Sequence, residues 1–351
     1  MSRKLITGFF GVNNLGDDIM LDAFFKRLQK KEEVSLLRLY AGWGTDTPIK
    51  TENISMFPHG KSILVSQYFS RKYDGFFWIG GTCMTDSAGD GAYGYMNSFK
   101  SRGKRIGYIG IGINEIHNQE RKRVYKNVLD RADIVTIRDK HSYSIAKELS
   151  NNPNILLTED LVYLSDEIIR PSPESRRPIL LIAWRSLAGY YSQEVENKAI
   201  ESLVELVRKY SNDYEKIIVT SLGNQVDDNP NRVLFAKLAS ITDRVQFVES
   251  MSFGQRIELI CTSTTVITGR LHGIFIAEWN NINTIAIGYD TKVKSFLESI
   301  DRTDDLVYPN NLNFDELERA LLARHEALTM NDWLVKHNES MKNVQLFEDM
   351  I

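Results

Sequence analysis

The residues best placed to do chemistry lie in ITGRLHG, Ile267 to Gly273, where Arg270 and His272 stand between two apolar runs. Thr264 to Thr268 reads as a β-strand, Leu271 to Trp279 as an apolar helix, and Thr284 to Ile287 as the next strand. In such an α/β unit the strand-to-helix turn is the carboxyl edge of the sheet, where ligands bind. The N–H groups of a helix start favour an anion there. A guanidinium, an imidazole and a helix start at one turn therefore suit a phosphate or a carboxylate. Residues two apart share a side in extended chain but diverge in a helix. Arg270 and His272 can act together only if the turn keeps at least one of them out of regular helix. The structural alternative is an arginine in a domain-interface salt bridge and a histidine capping the helix.

Two further arginines follow apolar runs directly, Arg138 after Ile134 to Ile137 and Arg185 after Pro178 to Trp184. A guanidinium at a carboxyl edge can capture a carboxylate or phosphate bidentately. For Arg138 the alternative is a surface pair with Asp139 or a glutamate, which is worth little. Three such placements are harder to explain as coincidence than one. Gly80 and Gly81 end another strand in FFWIGGTCMTD, where they permit close backbone approach and present N–H groups, or simply make a tight turn.

GFFGVNNLGDDIM, Gly8 to Met20, reads as strand, glycine loop and helix. Gly11 and Gly16 have the spacing of a P-loop, but Asp17 and Asp18 stand where Lys and Ser/Thr are required, and they invert the charge. No G-x-G-x-x-G is present either, so both phosphate-loop fingerprints are excluded. The acids can cap the helix and answer its dipole. Asn13 and Asn14, with Gly16 and Asp17 beside them, can instead meet a polar ligand, since adjacent asparagines at a sheet edge need partners.

These turns must be held by a repeated α/β frame. Strands are expected at Leu5 to Phe10, Val34 to Tyr40, Gly75 to Ile79, Arg105 to Ile109, Ile134 to Ile137 and Ile155 to Leu157. Helices are expected at Ile19 to Leu28 and Gln119 to Arg131. The proline-rich RPSPESRRP, Arg170 to Pro178, reads as a linker. Beyond it come strands at Pro178 to Trp184, Lys216 to Thr220 and Val245 to Val248, and helices at Gln193 to Tyr210, Arg232 to Ala239 and Phe253 to Ile260. Strands alternating with helices indicate parallel sheets covered on both faces. The expected plan is a first domain over 1–170, a linker over 171–178 and a second domain over 179–312. A helical tail over 313–351, read as Phe314 to Ala323 and Asp332 to Phe347, could return to the first domain.

A chain of 351 residues suits two such domains. The net charge of −3, without a long run of one sign, gives no support for nucleic-acid binding. Cys83 and Cys261 lie too far apart for a zinc or disulfide framework, and His59, His117, His141, His325 and His337 have no metal spacing. No G-x-S-x-G marks a serine hydrolase. The start lacks a signal-peptide apolar region, and no stretch nears the roughly 20 apolar residues of a membrane span. A cytoplasmic protein is the simplest expectation.

With these pieces in order, GVNNLGDD, IGGTCMTD, YIGIGIN, TIRDKHS, LTEDL, LIAWRS and GRLHG…IAIGYDTKVKSF, the chain resembles the polysaccharide pyruvyl transferase family from about Gly8 to Phe296. The resemblance implies a GT-B-like fold, two Rossmann-like domains facing across a cleft. It also implies transfer of the enolpyruvyl unit of phosphoenolpyruvate to two hydroxyls of one sugar, with a cyclic ketal formed and phosphate released. Arg138, Arg185 and Arg270 would clamp the donor's two anionic groups, with Asn14, Gly16, Gly80 and Gly81 as further substrate-binding positions. The reaction needs a group that gives and takes a proton near neutral pH, which points to His272, with Asp17 as a second acid or base. The donor is a substrate, so neither cofactor nor metal is expected. The acceptor would be a glycan or lipid-linked glycan, which leaves peripheral membrane association open. Competing expectations are a glycosyltransferase using a nucleotide-sugar and a non-catalytic scaffold of polysaccharide assembly. Thr82, Asn114 and Asn283 depart from the family's usual glycine and prolines, in turns expected beside the cleft and therefore bearing on acceptor choice.

Overall fold

In the computed structural model, which describes residues 3–12, 14–37, 54–55, 63–86, 92–168, 176–223, 227–249 and 251–350, the apolar runs form parallel strands. The chain divides into two units, one of Met1–Val12, Gly16–Asp166 and Asn331–Ile351, the other of Asn13–Leu15 and Glu167–Met330. The first unit holds β1 (Lys4–Thr7), β2 (Val34–Leu37), β3 (Ile54–Ser55), β4 (Gly75–Ile79), β5 (Thr82–Met84), β6 (Arg105–Ile113), β7 (Ile134–Ile137) and β8 (Ile155–Leu157). They form one parallel sheet in the order β3-β2-β1-β4-β6-β7-β8, with β5 paired to β6. Its helices are α1 (Leu15–Arg27), α2 (Ile63–Lys72), α3 (Tyr93–Lys100), α4 (Gln119–Arg131) and α5 (Lys140–Leu149). Every residue of the β4 run GFFWI is buried, as expected of a parallel strand covered on both faces.

The second unit holds β9 (Ile179–Ala183), β10 (Lys216–Thr220), β11 (Val245–Val248), β12 (Thr265–Thr268), β13 (Asn283–Ile287) and β14 (Leu306–Val307). Their order is β11-β10-β9-β12-β13-β14, again all parallel. The order reverses direction beside β9, which makes the carboxyl ends of β9 and β12 the switch point where doubly wound sheets bind ligands. Helices α6 (Gln193–Tyr210), α7 (Asp228–Ala239), α8 (Phe253–Thr262), α9 (Leu271–Trp279), α10 (Thr291–Ser299) and α11 (Phe314–Leu322) complete it.

The tail helices divide between the two units. Of its helices, α11 stays with the second unit, against α6, β13 and β14. Only α12 (Met330–Glu348) joins the first unit, where Phe347 meets Phe24 and Phe77 edge-on at 5.3 and 5.1 Å. Helix α1 begins at Leu15 rather than Ile19, because Asp17 and Asp18 favour a first helical turn that an apolar count does not register. Strand β6 runs on to Ile113 through a register shift, pairing with β5 as well as β4 and β7. The Val34 to Tyr40 strand is described to Leu37, and most of the linker lies outside the described residues. Among the described residues, no helix is long and apolar enough to cross a membrane.

A buried charge cluster in the second unit carries a stability prediction. Arg302 Nε lies 3.4 Å from Glu278 Oε2, and His325 Nε2 lies 2.8 Å from Asp305 Oδ1. Burial, and then the Asp305 carboxylate, push the Glu278 carboxyl up to about 8. In that window the folded chain keeps a proton that the unfolded chain has released, so stability falls as pH rises from the ordinary carboxylate range toward 8. Glu278→Gln should therefore melt close to the wild type at about pH 5 and a few degrees above it at about pH 8.5. Melting curves across that range check this, and a gap that does not widen with pH would count against it.

Candidate active site

The second unit gathers cations at one sheet edge. Ala183 of β9 is level with Thr268 of β12, so Arg185 and Arg270 leave neighbouring strands at the same height. Arg270 has an extended backbone, φ −80° and ψ 112°, just before α9, whereas His272 is already helical. The condition for the pair to act together is met, since only one of them is in regular helix. No side chain caps the start of α9 among the described residues, so its first turn keeps amides aimed at this edge. His272 is half-buried with its Nε2 turned inward.

Arg270 is braced rather than loose. Its Nε donates to Asp227 Oδ2 at 2.6 Å, its Nη2 lies 2.5 Å from the same oxygen, and Asp227 Oδ1 accepts the Ser186 amide at 3.1 Å. Gly223 provides the room, because a Cβ there would overlap both the guanidinium and the carboxylate. Arg185 is held differently. Its guanidinium lies 4.0 Å from the Tyr289 ring centre and 5.4 Å from that of Tyr190, with no carboxylate at ion-pair distance among the described residues. Aromatic faces attract a cation without neutralising it, so Arg185 retains its charge for an anion. Lys292 joins from the start of α10, with Nζ 5.4 Å from the Tyr289 ring centre and 3.6 Å from Asp290 Oδ2. Burial works against the Lys292 charge, but Tyr289 and Asp290 outweigh it and raise its pKa. The edge thus carries three cations, Arg185, Arg270 and Lys292, with Asp227 as the counter-charge of Arg270.

At the first unit's carboxyl edge Arg138 is buried. Its Nη1 lies 2.8 Å from Asp160 Oδ2, its Nη2 donates to Thr82 Oγ1 at 3.1 Å, and its Nε lies 3.9 Å from Asp139. Burial disfavours the Arg138 charge, but Asp160, Asp139 and Asp17 outweigh it, so its pKa rises. The pair is an interior one, unlike the surface pair that was the alternative to ligand capture for this arginine. Asp17 and Gly16 lie in the first turn of α1, so Asp17 is inside the helix rather than its cap. Gly80 and Gly81 have φ of +63° and +69°, and a side chain on Gly81 would strike the Asp17 carboxylate. The glycine pair thus lets the turn after β4 approach α1. Asn14 groups with the second unit, and Asn13 lies outside the described residues.

Arg185, Arg270 and His272 are therefore brought together on one edge, while Arg138, Asp17, Gly80 and Gly81 share the edge of the other unit. The departures are distributed less neatly than expected. Thr82 is a partner of Arg138, but Asn283 opens β13 at the opposite end from Arg270, donating to Leu321 O at 2.8 Å. It stands on the far side of the sheet edge, away from these groups. Sequence reasoning gave no role to Asp227, Tyr190, Tyr289, Lys292 or Asp160. The Tyr289-Asp290-x-Lys292 run directly after an apolar strand was the available signal.

The loop at Gly11 to Gly16 yields a prediction of its own. Asp18 Oδ1 already takes the Gly11 amide at 2.8 Å, an N–H that a phosphate-binding loop would offer to its ligand. Magnesium–ATP should show no binding in calorimetry, and micromolar affinity abolished by changing Asp17 would overturn this.

Two doubly wound parallel-sheet units with cations on their carboxyl edges define the GT-B-like class, and solved structures agree on the fold. The chain is similar to a UDP-N-acetylglucosamine 2-epimerase from Rickettsia bellii, at TM-score 0.66 and 13% identity, over 100% of this chain and 96% of that one. It is also similar to HepE of Anabaena, solved with UDP and glucose, at TM-score 0.64 and 10% identity over 99% and 98% of the two chains. For MurG of Acinetobacter baumannii the TM-score is 0.54, at 12% identity over 99% and 100%. No relative among curated proteins matches. The polysaccharide pyruvyl transferase family profile matches residues 14–291, and the chain belongs to that family.

Proposed function

We propose that this protein transfers pyruvate from phosphoenolpyruvate to two hydroxyls of a sugar in a cell-surface polysaccharide or its precursor. The observation that carries this is the set of cations at the second unit's carboxyl edge, Arg185, Arg270 at the start of α9 and Lys292 at the start of α10. The donor carries a carboxylate and a phosphate, and two separately held guanidinium groups suit two anions on one small molecule. A proton delivered to the donor's methylene carbon leaves positive charge at the central carbon. One sugar hydroxyl adds there and loses its proton. The bond from that carbon to the phosphate oxygen then breaks with its electron pair on phosphate. A second hydroxyl closes the ring, giving up its proton. Of the residues on this edge, His272 is the one able to give and regain a proton near neutral pH. Asp17 is the proposed second acid or base. The arginines stabilise the departing phosphate. The acceptor is a glycan, free or lipid-linked, the reaction runs in the cytoplasm, and no cofactor takes part.

The competing reading is a glycosyltransferase that uses a nucleotide-sugar, favoured by the likeness to a protein solved with UDP and glucose. Thermal shift separates them. Phosphoenolpyruvate at about 100 times its dissociation constant should stabilise the protein by about 2.7 kcal/mol, whereas UDP-glucose should not. Stabilisation by UDP-glucose alone would favour the competitor. Incubation with candidate glycans, followed by mass detection of added pyruvate, then identifies the acceptor.

A further inference from the structure

The turn that opens α7 grips both arginine-bearing strand ends at once. Asp227 and Asn231 are four residues apart and share a helix face. The Asn231 side chain brackets Trp184, its Oδ1 accepting the Trp184 amide at 2.9 Å and its Nδ2 donating to the Trp184 carbonyl at 2.7 Å. The same Nδ2 donates to the backbone carbonyl of Asp227 at 2.7 Å, which ties the Asn231 side chain to the turn that carries Asp227. Asp227 accepts the Ser186 amide at 3.1 Å and the Nε–H of Arg270, with Arg270 Nη2 at ion-pair distance. Arg185 therefore stands between two residues, Trp184 and Ser186, whose amides are both pinned to the start of α7. Both contacts of Arg270 with Asp227, through Nε and Nη2, lie on one guanidinium edge, which turns Nη1 away from the carboxylate. The Asp227 side chain is 1% exposed, so it is placed to hold other groups rather than to meet a ligand.

We infer that Asp227 is a positioning residue that fixes the aim of Arg270 and, with Asn231, its spacing from Arg185. The inference rests on the donor reading above, in which the two arginines hold the two anionic groups of phosphoenolpyruvate. Charge and geometry make opposite predictions, which makes the point testable. As a counter-ion, Asp227 weakens anion binding, so its neutralisation would tighten it. As a positioning residue it preorganises the fork, so its neutralisation loosens it. A residue that only stabilises the fold would change melting temperature and leave the affinity of the folded protein alone.

The test uses calorimetry with phosphoenolpyruvate and, separately, with inorganic phosphate, on the full chain. Asp227→Asn should bind phosphoenolpyruvate at least about tenfold more weakly, since small misplacements of a binding group are costly. Inorganic phosphate, with one anionic group, should lose less, so the ratio of the two affinities should fall. Gly223→Ala is the second variant and decides alone if Asp227→Asn does not fold. It keeps the carboxylate, crowds the guanidinium, and should shift the same ratio in the same direction. Equal or tighter phosphoenolpyruvate binding in either folded variant overturns the inference. Wild-type protein that binds no phosphoenolpyruvate, or an Arg185→Ala variant that binds it normally, overturns the donor reading and the inference with it. Wild-type binding, loss in Arg185→Ala and no loss in Asp227→Asn would overturn the positioning role alone.

Discussion

His272→Asn should fold and still bind phosphoenolpyruvate, yet transfer pyruvate at least about a hundredfold more slowly. General acid–base catalysis contributes about 10²–10⁴-fold, and that range sets the expected loss. Asparagine has similar reach and keeps hydrogen-bonding capacity, but it cannot pass a proton. His272 lies in the first turn of α9, half-buried, two residues from the braced Arg270. A structural role for the ring would therefore show in melting temperature and donor affinity. The measurement is phosphate release in the presence of an acceptor glycan, alongside both of those quantities. Near-normal turnover would move the proton elsewhere, with Asp17 next in line. Joint loss of stability and donor binding would make His272 a structural residue.

Much of the frame was legible because parallel sheets write themselves plainly. Gly75–Ile79, Ile134–Ile137 and Lys216–Thr220 are short apolar runs bounded by polar residues, and each is a strand with the bounds expected. Gln193–Tyr210 and Leu271–Trp279 are likewise helices over the expected residues. Helices α2, α3, α5 and α10 were not foreseen. Short helices such as KHSYSIAKEL have only a few buried positions, too few for a period to emerge.

The site was legible in its cations and illegible in their partners. Arg138, Arg185 and Arg270 announce themselves by following strands. What each guanidinium touches depends on strand order, which no local spacing encodes. Asp160 lies 22 residues from Arg138, and Asp227 lies 43 residues from Arg270. Tyr289 reaches Arg185, and Lys292 packs on the same ring, because β13 and β9 flank β12 on either side, a neighbourhood set by topology. The partners decide the roles. Arg185, held by aromatic rings, keeps its charge available, whereas the charge of Arg138 is largely answered inside its own unit.

That contrast gives the second large effect. Arg138→Ala should destabilise the first unit by about 3–5 kcal/mol, because it removes the guanidinium paired with the buried Asp160 carboxylate. At a few degrees per kcal/mol for a unit of this size, melting should fall by roughly 6–20 °C. The double variant Arg138→Ala/Asp160→Asn should recover part of that loss, since the uncompensated charge goes with it. Asp160 Oδ1 also accepts the Val162 amide at 2.9 Å, a bond that an asparagine oxygen can keep. Arg138→Lys should sit between, restoring charge but not the fork that reaches both Asp160 and Thr82. Arg185→Ala should behave in the opposite way. No carboxylate at ion-pair distance among the described residues depends on it, so its melting should stay within a few degrees of wild type while donor affinity falls. Differential scanning calorimetry beside donor titration separates the two classes. If Arg138→Ala melts like the wild type, the buried pair contributes no stability, and ligand capture becomes the better account of this arginine.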